Sequence, residues 1–118
     1  MFGRGKEISL NRVHDTVVFK ESDDRLTLKV NADPMRMSAG LLSVRRKMTH
    51  MTEESPEEEQ REVALEMAAV IFGEEQAKQL MEFYHDDPPG VIHVCLLYFQ
   101  QRLSKRIIKA SKKAPDVK

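Results

Sequence analysis

The chain has 118 residues, 41% of them hydrophobic and 32% charged, with 19 basic and 19 acidic side chains and a formal net charge of zero. That length suits one domain with a core of its own, and the balance excludes a disordered polyelectrolyte. Apolar runs such as Val94 to Phe99 are too short to cross a bilayer, and Met1 to Lys6 lacks the apolar core of a secretory signal, so a cytoplasmic protein is expected.

Taken in chain order, Glu7 to Leu10 and Thr16 to Lys20 are short and β-prone, and Val17, Val18 and Phe19 give the second segment a strong strand composition. Glu21-Ser22-Asp23-Asp24 then supplies turn residues, and Arg25 to Asn31 alternates polar and apolar without interruption. A hairpin is predicted, with Leu26, Leu28 and Val30 on its covered face and a weaker third strand at Glu7 to Leu10. Two or three strands bury too little alone, so the sheet must lie against helices.

Asp33-Pro34 is a helix start, an Asx cap followed by proline at the first helical position. Met37, Leu41, Val44, Met48 and Met51 recur at spacings of four and three, a narrow apolar stripe from which Arg36, Arg45, Arg46 and Lys47 are offset. Ser55-Pro56-Glu57-Glu58 reads as a capping box that opens a second helix, with Ala64, Met67, Ala68 and Ile71 facing inward. Gly73 is expected to close it in the left-handed conformation.

A short helix from Glu74 to about Tyr84 follows, stopped by His85-Asp86-Asp87-Pro88-Pro89. The last helix is expected to begin near Gly90 and fray around Ala110. Val91, Val94, Cys95, Tyr98, Arg102 and Lys105 fall on one of its faces, and Ile92, Leu96, Phe99, Leu103 and Ile107 on an adjoining one. Apolar residues so far round the circumference imply the central helix of the core. The fold class that results is α+β, an N-terminal hairpin or small three-stranded sheet (residues 7–31) followed by a four-helix, mainly α core (34–110). A lysine-rich tail over 111–118 is expected to be disordered.

The residues offer little catalytic chemistry, and no enzyme is expected. His14, His50, His85 and His93 show no zinc-like spacing, there is no phosphate-binding glycine loop, and one cysteine, Cys95, allows neither an intrachain disulfide nor a thiolate cluster. Cys95 sits in an apolar run and is expected to be an inert buried thiol. His85-Asp86 could be read as metal ligands, but a helix end before two prolines explains it as well. No cofactor and no metal are therefore expected.

Charge is uneven although it sums to zero. Acids dominate Glu53 to Asp87 and bases dominate Arg102 to Lys118, so head-to-tail self-association is expected, carried by Glu57 and Glu58 against Arg102, Lys105 and Arg106. The basic end also admits a small nucleic-acid-associated or regulatory protein as the alternative, although aromatic residues to stack bases are lacking there. Seven methionines, four of them between Met35 and Met51, suit a pliable surface for varied apolar helices. On this basis Met37, Leu41, Val44, Met48 and Met51 are the candidate client-binding residues.

The run Ile71-Phe72-Gly73-Glu74-Glu75-Gln76-Ala77, then Leu80-Met81-Glu82-Phe83-Tyr84, Asp87-Pro88, and Phe99-Gln100-Gln101-Arg102-Leu103 with Lys105 and Ile108, resembles the tail assembly chaperones of Gram-positive siphophages and prophages. The resemblance covers about Ile71 to Lys109 and departs from the family in hairpin length and in the basic first helix. It implies a holdase that coats the helix-forming tape measure protein until tail tube subunits displace it. It further implies a homo-oligomer, and contact with the major tail protein through a longer frameshifted product.

Overall fold

The computed structural model describes residues 11–112. Alternation of apolar and polar residues builds an antiparallel hairpin, β1 (Val13–Glu21) and β2 (Asp24–Ala32), in register from Val13 opposite Ala32 to Glu21 opposite Asp24. Val13, Val17, Phe19, Leu28 and Val30 are buried on one face, while Val18 points to solvent. The side-chain amide of Gln76 closes the β2 edge like a further strand: it accepts from Lys29 N–H at 3.0 Å and donates to Lys29 C=O at 2.8 Å. The expected third strand at Glu7 to Leu10 lies outside the described residues, as does the tail beyond Lys112. An α+β fold of two strands and a helical majority is what the structure contains.

Five helical stretches follow: α1 (Pro34–Thr49), α2 (Glu57–Phe72), α3 (Glu74–Phe83), α4 (Pro88–Tyr98) and α5 (Ser104–Lys112), the last two joined without a break by a π-helical turn, Phe99–Leu103. Asp33 caps α1 as its sequence implies, accepting from Arg36 N–H at 3.1 Å. The capping box proposed for α2 does not form. Ser55 Oγ is already taken by Thr52 N–H at 2.8 Å, which closes the preceding turn, so α2 starts without a side-chain cap and relies on Glu57, Glu58 and Glu59 against its positive end.

Gly73 ends α2 and begins α3, but at φ 91° and ψ 160°, an extended positive-φ conformation and not the left-handed helical one. The break before α4 is also tighter than its sequence suggests. Asp86 N–H reaches back to Met81 C=O, His85 and Asp86 take positive φ, and α4 starts at Pro88 with Asp87 as cap. Two prolines fit the first turn because the amides they lack would have had no helical partner there. At the other end α5 runs through Lys112, past the expected fraying at Ala110.

The centre of the core is α2, not the last helix. It packs against α1, α3, α4 and β2, and it buries Val63, Ala64, Met67, Ala68, Ile71 and Phe72. Phe72 stacks on Tyr98 and meets Phe19 edge-on, with centroids 5.9 Å and 5.7 Å apart, so one ring joins hairpin, α2 and α4. The last helix buries only one stripe and leaves Leu96, Leu97 and Ile108 in contact with solvent.

That stripe is set by the π turn. Val91, Cys95 and Tyr98 are buried at helical spacing, and strict α periodicity would next bring in Arg102 and a residue near Lys105. Ser104 N–H instead donates to Phe99 C=O five residues back, which adds one residue to the turn. The inward face passes to Leu103, Ile107 and Ala110, all buried.

The displaced arginines go to Asp15. Odd positions of β1 face the core, so Asp15 lies on the covered face between Val13 and Val17, and its side chain is only 4% exposed. Its carboxylate accepts from Tyr98 Oη at 2.8 Å and Thr16 N–H at 2.9 Å, and it pairs with Arg102 and with Arg106 Nε at 3.3 Å. Arg106 also donates to His14 C=O at 3.1 Å. A buried carboxylate is tolerable only with such partners.

Asp15→Asn is expected to cost about 1–3 kcal/mol, the range for depriving charged groups of a buried partner, with a lower urea midpoint and an unchanged slope. Arg61→Gln breaks the exposed pair to Asp86, 2.5 Å long, and should stay within about 0.5 kcal/mol. Equal losses in the two variants would refute the special standing of Asp15. Deleting Gln101 should convert the π turn into ordinary helix with Leu103 at helical spacing from Tyr98. Circular dichroism should then show a cooperative melt; its loss would refute the account of the turn.

Candidate functional site

Among the described residues an apolar groove of about 590 Å³ lies between α1 and the last helix. Leu41, Leu42, Arg45 and Met48 line one side with Ser38 at its edge, Met67 and Ile71 of α2 form the floor, and Leu96, Phe99, Ile107 and Ile108 form the far wall with Cys95, Gln100 and Ser104. Leu42, Leu96 and Ile108 are 50%, 36% and 53% exposed, so the groove is a trough open along its rim.

Close helix packing beneath it accounts for the shape. Gly40 lets α1 approach α2 until a Cβ at that position would stand 2.8 Å from Val70 Cγ1, a distance real Cβ atoms do not reach. Held that close, α1 turns Met37 and Val44 fully into the core. The two outer helices then present leucines and isoleucines across the gap above Met67 and Ile71.

The sequence-derived client stripe is thereby divided. Leu41 and Met48 line the groove, Met37 and Val44 are buried beneath it and do not reach it, and Met51 is half-buried against the core just past α1. Leu42, Leu96, Phe99 and Ile108 belong to the site and were not singled out by the stripe. Their signal was an excess: a second leucine beside Leu41, and apolar residues on more sides of the last helix than one core can cover.

The charged candidates are divided too. Glu57 and Glu58 are exposed in the first turn of α2, and Lys105 is exposed without an ion pair. Arg102 and Arg106 are tied to β1 by Asp15 and His14, so any intermolecular role for them would compete with that pairing. His85 and Asp86 lie in the turn between α3 and α4, and the Asp86 carboxylate is held by Arg61. Among the described residues no cluster of three or more His, Cys, Asp or Glu side chains could hold a metal ion, and no helix is long and apolar enough to cross a membrane.

No family model matches the chain, and no curated protein or solved structure matches it.

Three titratable groups near the core resist losing their protons. Burial pushes the Cys95 thiol up to about 12. Burial also raises the Tyr98 phenol, helped by its hydrogen bond to Asp15 and the negative charge there, while Arg102 and Arg106 oppose the rise. Tyr84 is raised by burial foremost and by Glu21 and Cys95. In each case the folded state keeps its proton where the unfolded chain would release it, so stability falls as pH climbs from about 9 towards 12. Thermal melts across that range should show a falling Tm, and iodoacetamide at pH 8 should label Cys95 only after denaturation. Rapid labelling of the native chain would show that the groove wall opens.

Proposed function

We propose that this protein is a non-catalytic holdase of the phage tail assembly chaperone type, which keeps the helix-forming tape measure protein soluble in the bacterial cytoplasm. The observation that carries the reading is the open apolar groove. An amphipathic helix laid in it would cover Leu42, Leu96 and Ile108, the exposed apolar side chains of its rim. Met48 on the wall and Met67 on the floor give it unbranched, adaptable side chains, which suit many soft contacts to varied sequences along one client. The resemblance over Ile71 to Lys109 supplies the identity of that client.

Self-association belongs to the same proposal, with Glu57 and Glu58 of one copy meeting Lys105 and neighbouring lysines of the next, and contact with the major tail protein would come through a longer product. Because such contacts are between exposed charges, they weaken with salt. The unpaired cations of α1 and α5 favour nucleic acid as the competing reading, and a low-salt titration with duplex DNA that shows no binding removes it.

Co-expression with the tape measure protein of the same genome should move that client into the soluble fraction. Leu42→Glu and Ile108→Glu alter exposed rim residues and should leave the melting curve nearly unchanged while abolishing the rescue. If the client is equally insoluble with and without the wild-type chain, the chaperone reading fails. Light scattering should show mass falling from low to high salt, and a constant mass rejects charge-driven assembly.

A further inference from the structure

The helices flanking the groove carry charge of one sign only. From Pro34 to Thr49 and from Pro88 to Lys112 there is no aspartate or glutamate, against nine lysines and arginines. Three of the nine are committed within the fold: Lys47 to Glu66 at 2.6 Å, and Arg102 and Arg106 to Asp15. Among the described residues the side chains of Arg36, Arg45, Arg46, Lys105 and Lys109 form no ion pair. Arg45 lines the groove itself. Arg46 follows the exposed Leu42 by four residues and Lys105 precedes the exposed Ile108 by three, so each is the helical neighbour of a rim residue.

We infer that the groove selects an amphipathic helix of another protein whose apolar stripe is flanked by glutamate or aspartate side chains. The apolar stripe meets Leu41, Met48, Phe99 and Ile107, and the flanking carboxylates meet Arg45, Arg46 and Lys105. The inference rests on the helix-binding reading of the groove and adds the charge of the occupant to it. Electrostatic complementarity of this kind chooses among clients and raises the association rate more than it raises affinity. It also works against a lysine-flanked helix, which would set like charges along the rim.

Among its described residues a second copy of the chain does not offer such a helix. Its acid-bearing helices, α2 and α3, turn Val63, Met67, Ile71, Leu80 and Met81 into their own core, leaving carboxylates outside without an apolar stripe between them. Nucleic acid would satisfy the cations and leave the apolar trough uncovered. A foreign helix with acids beside its stripe satisfies both.

The test uses the full chain and two peptides of roughly 20 residues, long enough to be helical, with one shared leucine stripe flanked by Glu in one and by Lys in the other. Fluorescence anisotropy should show the Glu-flanked peptide binding about 10-fold more tightly at low ionic strength, with the gap shrinking as salt is added. Arg45→Glu combined with Lys105→Glu should abolish or invert the preference. Lys78→Glu, the same charge change on α3, should leave it intact, and circular dichroism melts verify that each variant is folded. Equal binding of the two peptides overturns the charge inference while the helix-binding groove stands. If neither peptide binds, both fall. Light scattering that shows the chain pairing with itself and thereby excluding the Glu-flanked peptide would reassign the groove to a second copy and overturn the inference.

Discussion

A single carboxylate on the covered face of the hairpin governs how the last third of the chain is laid down. Asp15 occupies a position that strand alternation assigns to the core, and a charge there is tolerable only where donors surround it. Tyr98, Arg102 and Arg106 supply them from three successive turns of one continuous helical stretch. Those turns can face β1 while Leu103 and Ile107 face the core only because the π turn offsets the two sets by one residue. Charge pairing and apolar burial therefore fix the same rotation of the same helix.

The groove is a consequence of that rotation. With Leu103, Ile107 and Ala110 turned inward and the arginines held at β1, Leu96, Leu97 and Ile108 are left exposed by the described elements. Leu96 and Ile108 line up across from α1, which Gly40 has allowed to settle close over α2. Interiors of proteins are packed densely, so an uncovered apolar trough on an otherwise ordinary domain is a departure that asks for an occupant. The proposed client helix and the cationic rim that would select it are two properties of the same uncovered surface.

Much of the fold was legible because it depends on local rules. Alternation from Arg25 to Asn31 marked β2, Asp33-Pro34 marked the start of α1, and the four- and three-residue spacing of Met37, Leu41 and Val44 marked its inner side. Other features failed where two local signals competed. Ser55 fitted a capping box, but its hydroxyl closes the turn at Thr52 first. Pro88 and Pro89 signalled a break and are also good first residues of a helix, and the second property won once Asp87 capped them. Asp15 itself could have been noticed as an acid at an alternating position between two valines, had the strand been started at Val13.

The sequence by itself determined the hairpin, the number and approximate limits of the helices, and the burial of Cys95, because each follows from neighbours a few residues apart. Only the tertiary structure decided that α2 is the centre, that Met37 and Val44 are sealed while Leu42 and Ile108 are left open, and that Arg102 pairs with Asp15 of a strand 87 residues away. Periodicity shows which residues share a helix face but not which face meets a partner. That choice was made by the buried charge of Asp15 and the one extra residue of the π turn, and both act through contacts distant in sequence.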